Sequence, residues 1–410
     1  HTWFPKTDSY KWAKGYEFTS CVEGLAELYK VTGTEDYLKA AENIHQALVD
    51  FERTPVGSLS FNDKLIGSKG LINTISEICD VVYWNRLSFI LFSITGESKY
   101  VEEMERALYN SLLFAFNKEG TWSLRRLRTS HMHIPATNHF LQHHQCCTDN
   151  LPRGLFQAAD FALMKRNDNK IYLSLFNKGE GKILLKNKSV RIKIDGDFLS
   201  ESKIETTISL KNSLYFQLYI RVPDWSNKTS FKINGEKYSG QIVDNWMIID
   251  REWHDGDRIE IVFDIELRWE TFNPELFDST YHKIDFYNNV WAKMKFETGS
   301  NETNNSKYKH VVALKKSEAL IQQKALAFFY GPIVLARDIR VSGEDIFFPI
   351  FMSDKKEFQS VKLIKSNGVI WKKFEVNLGN EQIIRFCDFS SAGNTWDKNS
   401  LFNTWCILRE

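Results

Sequence analysis

The spacing of apolar residues changes near residue 165, and this change limits the folds that the chain can adopt. Before that point, apolar residues recur at the three- and four-residue intervals of amphipathic helices. After it, apolar and polar residues alternate or run apolar over short segments, as in β-strands. The sequence therefore predicts a helical part followed by a β part. At 410 residues the chain is also too long for one compact core.

The helical part is predicted to consist of hairpins. Thr-Gly turns in VTGTEDY (31–37) and ITGESKY (94–100) each separate two helices, and Gly33 stands where a left-handed C-cap is expected. This repetition is typical of stacked or closed helical arrays. The predicted helices cover residues 15–31, 34–51, 75–94, 98–116 and 151–164. They are about half of the number that a closed toroid of six hairpins would need.

The β part is predicted to contain an antiparallel β-sandwich. Strand patterns cover residues 170–176, 189–194, 215–222 and 258–265, with Asp-Gly or Asn-Gly turns at 195–196, 234–235 and 255–256. A second apolar β region, 325–408, either completes this sandwich or forms another. The predicted fold class is α+β with several domains. Its parts are a helical array at 1–165, a β-sandwich at 166–270 and a second β region at 271–410.

Composition excludes some partners and leaves others open. The net charge of +1 gives no electrostatic argument for a nucleic acid partner. No uninterrupted apolar run reaches the ~18 residues of a membrane helix, so no membrane partner is predicted. The 12 tryptophans either stack on sugars or fill a sandwich core. The chain begins at His1 without Met or a signal peptide, which predicts a processed product or a piece of a longer protein.

The stretch HHQCCTDN (143–150) contains two adjacent cysteines, Cys146 and Cys147. A disulfide between neighbours is strained, and the six cysteines are too sparse for a disulfide framework. Upstream, SEIC (76–79) supplies Glu77 and Cys79. Three thiolates and a carboxylate form a tetrahedral zinc set by ligand type, although the spacing is not that of a zinc finger. The alternative is that Cys79 is a core residue on an apolar helix.

The charge of such a set favours a bound metal. Three thiolates and a carboxylate around a divalent cation carry a formal charge of −2, and coordination keeps the thiols deprotonated. A loosely held thiolate is also a candidate nucleophile. The flanking candidates for orienting a ligand are His143, His144, Asn150 and Arg153. For the two histidines, a surface or structural role is the alternative.

These motifs resemble those of the β-L-arabinofuranosidases of glycoside hydrolase family 127 and their relatives. The resemblance rests on SEIC and the helix after it, SITGESKYVEEMERALYNSLL (93–113) and CCTDNLPRG (146–154). GYEFTSCVEGLAELYKVTG (15–33) fits the preceding hairpin. YIRVPDWS (219–226), FYGPIVLA (329–336) and DFSSAGNTWD (388–397) are similar to the family's β motifs.

The resemblance implies an (α/α)6 barrel followed by β-sandwich domains, and a retaining glycosidase acting on arabinofuranosyl or related plant glycans. It implies a zinc ion held by Glu77, Cys79, Cys146 and Cys147. It also implies that Cys146 is the nucleophile. The expected partner is a carbohydrate substrate.

Two departures from the family pattern bear on activity. The family's general acid is a Glu shortly upstream of the Glu-x-Cys motif, and here Asn62 falls at that position. An Asn cannot donate the proton, so Asp63 is the candidate acid after a one-residue shift; the alternative is a turn Asp. The helices are also about half of the family's barrel. The missing half is expected from a partner, such as a separate half-barrel chain or a homo-oligomer, or is lost by truncation.

Three hypotheses follow from the sequence. The first is a zinc-thiolate retaining glycoside hydrolase with Cys146 as nucleophile. The second is a non-catalytic or truncated family member, in which zinc only joins the helices and the chain binds glycan or has a structural role. The third is a cysteine hydrolase using His143 or His144, which leaves the Glu-x-Cys motif without a role. Because the acid is displaced and the barrel is partial, the isolated chain is expected to be a poor glycosidase or none.

Overall fold

The structure is a computed structural model, and the account below covers the residues that it describes. These are residues 14–61, 63–65, 67–70, 74–116, 120, 123, 126–132, 145–167, 169–273, 324–343, 346, 349–353, 359–366, 368–379, 382–394 and 401–408.

Helices dominate the described residues up to Ala162. They are α1 (Gly15–Thr32), α2 (Glu35–Phe51), α3 (Ile78–Thr95), α4 (Ser98–Ala107) and α5 (Gln145–Ala162). Gly33 ends α1 with φ of +69°, which confirms the predicted left-handed C-cap, and Gly96 ends α3 in the same way with φ of +79°. α3 packs against α1, α4 and α5. By length and composition α3 is apolar enough to cross a membrane, but 67% of it is buried in the fold, as in a central core helix.

Three boundaries in this part differ from the prediction. Residues 75–77 form strand β1 (Ile75–Glu77), which pairs with β2 (Arg126–Arg128), so α3 begins only at Ile78. α4 continues into a π-helical segment (Leu108–Leu112). α5 begins at Gln145, about two turns before the predicted start. Proline is usual in the first turn of a helix, but α5 accommodates Pro152 in its interior. Both adjacent cysteines therefore lie in the first turn of α5.

The π-helical segment (Leu108–Leu112) allows Asn110 to reach the β part. The Asn110 amide donates to the carbonyl oxygens of Arg106 and Pro332, and its oxygen accepts the Val334 N–H at 2.8 Å. A π-bulge changes the direction of side chains relative to a regular helix. The π-helical segment is thus joined to the β part through the side chain of Asn110.

Residues 163–262 form two sheets whose apolar side chains belong to one core cluster. One sheet has the strand order β11-β10-β14-β8-β7-β6 and the other β12-β13-β9-β5-β4. Within these two sheets, every strand pairing is antiparallel except that of β5 with β9. The strands, after β3 (Ser130–Met132), are β4 (Leu163–Arg166), β5 (Lys170–Leu173), β6 (Gly179–Leu185), β7 (Lys188–Asp195), β8 (Lys203–Leu210), β9 (Leu214–Arg221), β10 (Ser230–Ile233), β11 (Glu236–Tyr238), β12 (Gln241–Val243), β13 (Trp246–Trp253) and β14 (Arg258–Val262).

One of the three predicted turns is a hairpin. Asn234 and Gly235 join β10 to β11 with positive φ of 51° and 89°, as a type I′ turn requires. Asp255 and Gly256 instead connect β13 to β14, which belong to different sheets. Residue 195 ends β7 and leads into the short helix α6 (Phe198–Glu201). An Asp-Gly pair indicates that the chain turns. Whether the strands before and after the turn pair with each other depends on the sheet topology.

The second β region forms a third sheet of its own. Its main path is β15-β16-β17-β20-β19-β18, and it begins at Leu267. β17 also pairs with β21, which pairs with β3, so the sheet extends onto the helical part. The strands are β15 (Leu267–Thr271), β16 (Ala325–Tyr330), β17 (Ile333–Asp338), β18 (Gln359–Ile364), β19 (Lys373–Leu378), β20 (Ile383–Asp388), β21 (Leu401–Asn403) and β22 (Trp405–Ile407), with helix α7 (Ile339–Ser342) after β17.

Arg221 joins the sandwich to the helical part. Its guanidinium is fully buried and bonds to carboxylates of α4, those of Glu102 at 2.7 Å and Glu105. The Trp225 indole N–H donates to the other oxygen of Glu105 at 2.9 Å. The Arg221 Nε also donates to the carbonyl oxygen of Ser174. The motif YIRVPDWS (219–226) therefore has an interdomain packing role in this chain.

A second, partly buried ion cluster surrounds Glu270. This β15 carboxylate lies 3.0 Å from both Arg53, just after α2, and Arg106 of α4. Burial alone would raise its pKa, but the two arginines outweigh burial and lower it to about 2. We expect Glu270→Gln to reduce the free energy of unfolding at pH 7 by about 3 kcal/mol. Urea denaturation measures this loss.

The pH dependence and a control complete this test. Because the folded pKa of Glu270 lies below the unfolded value of 4.5, its stabilisation is present above pH 4.5 and is lost as pH falls towards 2. The difference between wild type and variant should therefore shrink in acid. Glu180→Gln, which breaks the exposed pair with Arg191, should change stability by less than about 1 kcal/mol. Equal effects of the two substitutions would contradict the prediction.

Candidate metal centre

Four predicted ligands converge between the N-terminal ends of α3 and α5. Glu77 ends β1 and is the N-cap residue of α3, and Cys79 lies in the first turn of that helix. Cys146 and Cys147 lie in the first turn of α5. One ligand atom from each residue lies within 4.8 Å of all the others. The clustering predicted from ligand chemistry is thus present in the fold.

Short distances connect the side chains of all four residues. Cys147 Sγ lies 3.7 Å from Cys79 Sγ, 3.9 Å from Cys146 Sγ and 3.2 Å from Glu77 Oε1. Cys79 and Cys147 are completely buried, and Glu77 is 1% exposed. Of the four residues, Cys146 alone is exposed. The cluster therefore has a closed side and one thiol that solvent reaches.

The three thiols differ in how readily they ionise. The hydrogen bond between Cys79 and Cys147 lowers the pKa of Cys79, against burial. The same hydrogen bond, with burial, raises the pKa of Cys147 well above its usual range. Burial and the charge of Cys79 raise the pKa of Cys146. Without a cation, the close groups thus oppose one another's ionisation. A divalent metal would stabilise all four anions together, so this donor set fits a thiolate-binding ion such as zinc.

Asn150 and Arg153 are connected to the cluster by hydrogen bonds. The Asn150 amide donates to Cys79 Sγ at 3.2 Å, and Arg153 donates to the Asn150 oxygen at 3.2 Å. Both were expected to orient a ligand. In the structure they form a chain of hydrogen bonds that ends on a buried sulfur. Such contacts fix the orientation of a metal ligand and stabilise its negative charge.

The N-terminal end of α1 lies beside the cluster, and sequence reasoning did not identify it. Lys14 Nζ lies 3.3 Å from Glu77 Oε2 and 3.6 Å from Asp63 Oδ2. Although burial lowers the pKa of Lys14, the carboxylates of Asp63 and Glu77 raise it above its usual range. A single lysine before a helix carries no motif, so its role emerges only from the fold.

Asp63 lies in a turn, which was the alternative to a catalytic role. It has a positive φ of 70° in a tight turn, where Phe61 and Lys64 form a β-bridge. Its side chain is largely buried and paired with Lys14. The turn thus directs this carboxylate inward, towards the cluster. His143, His144 and Asn62 lie outside the described residues.

Comparisons with known proteins concern the family and the overall fold of the chain. The family sequence model for the β-L-arabinofuranosidase, GH127 catalytic domain, matches residues 6–160, and that for the GH127 middle domain matches residues 170–265. The chain belongs to glycoside hydrolase family 127. The resemblance inferred from the motifs is therefore confirmed. No curated protein sequence matches the chain significantly.

Solved structures share the fold of this family 127 chain at low sequence identity. A GH127 β-L-arabinofuranosidase from Geobacillus stearothermophilus T6 has a TM-score of 0.68 and 14% identity, over 97% of this chain and 60% of its own. A GH127 β-arabinofuranosidase has a TM-score of 0.70 and 16% identity over the same shares. A further glycoside hydrolase has a TM-score of 0.70 and 18% identity, over 97% and 66%. This chain thus spans about three fifths of the length of the first two.

Proposed function

We propose that this chain is a zinc-dependent retaining glycoside hydrolase acting on β-L-arabinofuranosides or related plant glycans. The observation that carries the proposal is a cluster of one glutamate and three cysteines in which only Cys146 is exposed. Family membership supports the reaction class. We also propose that the helical hairpins are part of an (α/α)6 barrel.

The exposure of Cys146 supports its assignment as the nucleophile. Cys79 accepts a hydrogen bond from the Asn150 amide. Both Cys79 and Cys147 are completely buried, so a substrate would not reach either sulfur. A bound zinc ion supplies positive charge that keeps the sulfurs deprotonated at neutral pH. Ligand chemistry alone does not distinguish the three sulfurs, whereas their exposure to solvent does.

The reaction then proceeds in two displacements at the anomeric carbon. The Cys146 thiolate attacks this carbon, the bond to the leaving oxygen breaks, and the acid gives that oxygen its proton. In the second step water attacks the same carbon and the carbon–sulfur bond breaks. The acid residue, now deprotonated, takes a proton from that water. Two inversions leave the anomeric configuration unchanged. Asp63 is the proposed acid and base, since its buried carboxylate reaches the cluster through Lys14.

The reaction class is tested with two substrates. An aryl β-L-arabinofuranoside has a good leaving group and needs little acid assistance, whereas an unactivated glycan needs a proton donor. We expect turnover of the aryl substrate with retention of configuration. NMR of the first product measures its anomeric configuration. Inverted product would contradict a covalent cysteine step.

Asp63→Asn tests the proposed acid. We expect this variant to hydrolyse an unactivated arabinofuranoside about 10²- to 10⁴-fold more slowly than wild type, because a proton donor is lost. Its rate of bond cleavage with the aryl substrate should change far less. Asp149→Asn, at an exposed position in the same turn as the cysteines, is the matched control. Equal losses on both substrates would assign Asp63 a structural role.

The alternative proposal is a non-catalytic family member with a structural zinc. The buried pair Cys79 and Cys147 favours it, because these thiols join α3 to α5 whether or not a substrate binds. A metal-loaded chain that cleaves neither substrate would support this alternative. The metal content would then be unchanged while turnover is absent.

A further inference from the structure

The two oxygens of Glu77 face different partners. Oε1 lies 3.2 Å from Cys147 Sγ, inside the cluster. Oε2, the other oxygen, lies 3.3 Å from the Lys14 ammonium. Glu77 is 1% exposed, so its orientation is set by protein contacts and not by bulk water.

We infer that Lys14 is a positioning residue for the metal centre, which keeps Glu77 a ligand through one oxygen only. This inference rests on the proposed metal site. A carboxylate can bind a cation through one or both oxygens, and binding through both would require Oε2 to turn away from the ammonium. The ion pair opposes that rotation and favours the four-ligand geometry that zinc adopts in thiolate sites.

Charge gives Lys14 a second effect on the site. Three thiolates and one carboxylate leave an excess of negative charge around a divalent ion, and buried excess charge is unfavourable. The Lys14 ammonium offsets part of it from outside the ligand set, without occupying a coordination position. Its side chain is one third exposed, so it reaches the cluster from the solvent side.

The backbone around Lys14 holds the ammonium in place. The Lys14 N–H donates to Glu17 at 2.9 Å, the Gly15 N–H to the Asp63 carbonyl at 2.8 Å, and the Tyr16 N–H to Asp80 at 2.6 Å. A Cβ at Gly15 would lie 3.0 Å from Asp80 Oδ1, so glycine permits this close approach. α1 is thereby fixed to the turn containing Asp63 and to the first turn of α3.

Metal affinity and coordination test this role without relying on activity. We expect Lys14→Met to bind zinc about 10- to 100-fold more weakly than wild type, as measured by competition with a chromophoric chelator. In the cobalt-substituted protein, a second Glu77 oxygen would raise the coordination number and weaken the visible ligand-field bands. Lys14→Arg, which keeps the charge, should recover part of the affinity. Lys30→Met, which removes an exposed ion pair at the other end of α1, is the matched control.

The outcomes separate this inference from the proposed function. Zinc affinity and cobalt spectra that match wild type in a folded Lys14→Met protein would overturn the positioning role and leave the glycosidase proposal intact. A wild-type chain that binds neither ion would overturn both the metal site and this inference. Weaker binding with an unchanged cobalt spectrum would overturn control of the Glu77 binding mode and attribute the effect to charge. Thermal denaturation of the metal-free proteins checks that all three lysine variants fold.

Discussion

Cys146→Ala is expected to lower turnover of an aryl β-L-arabinofuranoside by about 10³-fold or more, a loss comparable to those seen when the nucleophile of a hydrolase is removed. The aryl leaving group needs little acid, so this substrate isolates the attack of the sulfur on the anomeric carbon. Alanine leaves no atom at that position to form the covalent bond. Initial rates and metal content are measured on the same preparations.

Metal content distinguishes a lost nucleophile from a lost metal site. Glu77, Cys79 and Cys147 remain in the variant as three buried ligands, so zinc should still bind. Cys21→Ala, which removes an exposed thiol on α1, should leave the rate unchanged. Wild-type turnover by a metal-loaded Cys146→Ala protein would show that this sulfur is not the nucleophile.

Acidification is expected to destabilise the helical part through His45. The ring is buried, stacks on Trp84 at 4.2 Å and shares a hydrogen bond with Ser88 at 2.9 Å. Burial, with the nearby Lys99 charge, lowers its pKa from 6.5 to about 3. The unfolded chain therefore binds a proton below pH 6.5 that the folded chain excludes until pH approaches 3. Stability should fall by about 1.4 kcal/mol per pH unit in that window, or about 3 kcal/mol by pH 4.5.

His45→Phe tests this contribution because it keeps an aromatic ring and removes the titration. At pH 7 the variant should lose about 1 kcal/mol, since Ser88 loses its partner. At pH 4.5 it should be the more stable protein, as measured by urea denaturation at both pH values. His254→Gln changes an exposed histidine and should retain the wild-type pH dependence. Parallel pH profiles for wild type and His45→Phe would contradict the assignment.

The group of four candidate ligands was predictable from the sequence because it depends on residue types. An adjacent cysteine pair has few structural uses, and Glu77 with Cys79 completes a zinc set by chemistry alone. The fold then had to bring the first turns of α3 and α5 together, which no local pattern encodes. The exposure of Cys146 likewise follows from packing. The family resemblance implies that Cys146 is the nucleophile, and the exposure of this thiol is a physical reason to propose that role.

Other features depend on distant contacts and were therefore missed. The π-helical segment reflects the bonds from Asn110 to the strand at Val334, more than 220 residues away. The Asp255–Gly256 turn has hairpin chemistry but leads to another sheet. Lys14 has no signature, and its position follows from the docking of α1. The helical hairpins and the sandwich were predictable because their apolar periodicity extends over many residues.

If the proposed metal binds, the cluster would also link the amount of folded protein to the supply of that metal. Cys79 and Cys147 stand 68 residues apart in the chain and meet only when α3 and α5 are packed together. An ion that needs all of these ligands would bind the folded chain and not the unfolded chain. A free concentration about a thousand times the dissociation constant would add about 4 kcal/mol to the free energy of unfolding. A cell short of zinc would then hold less of this protein, because the metal-free chain unfolds and is degraded more often.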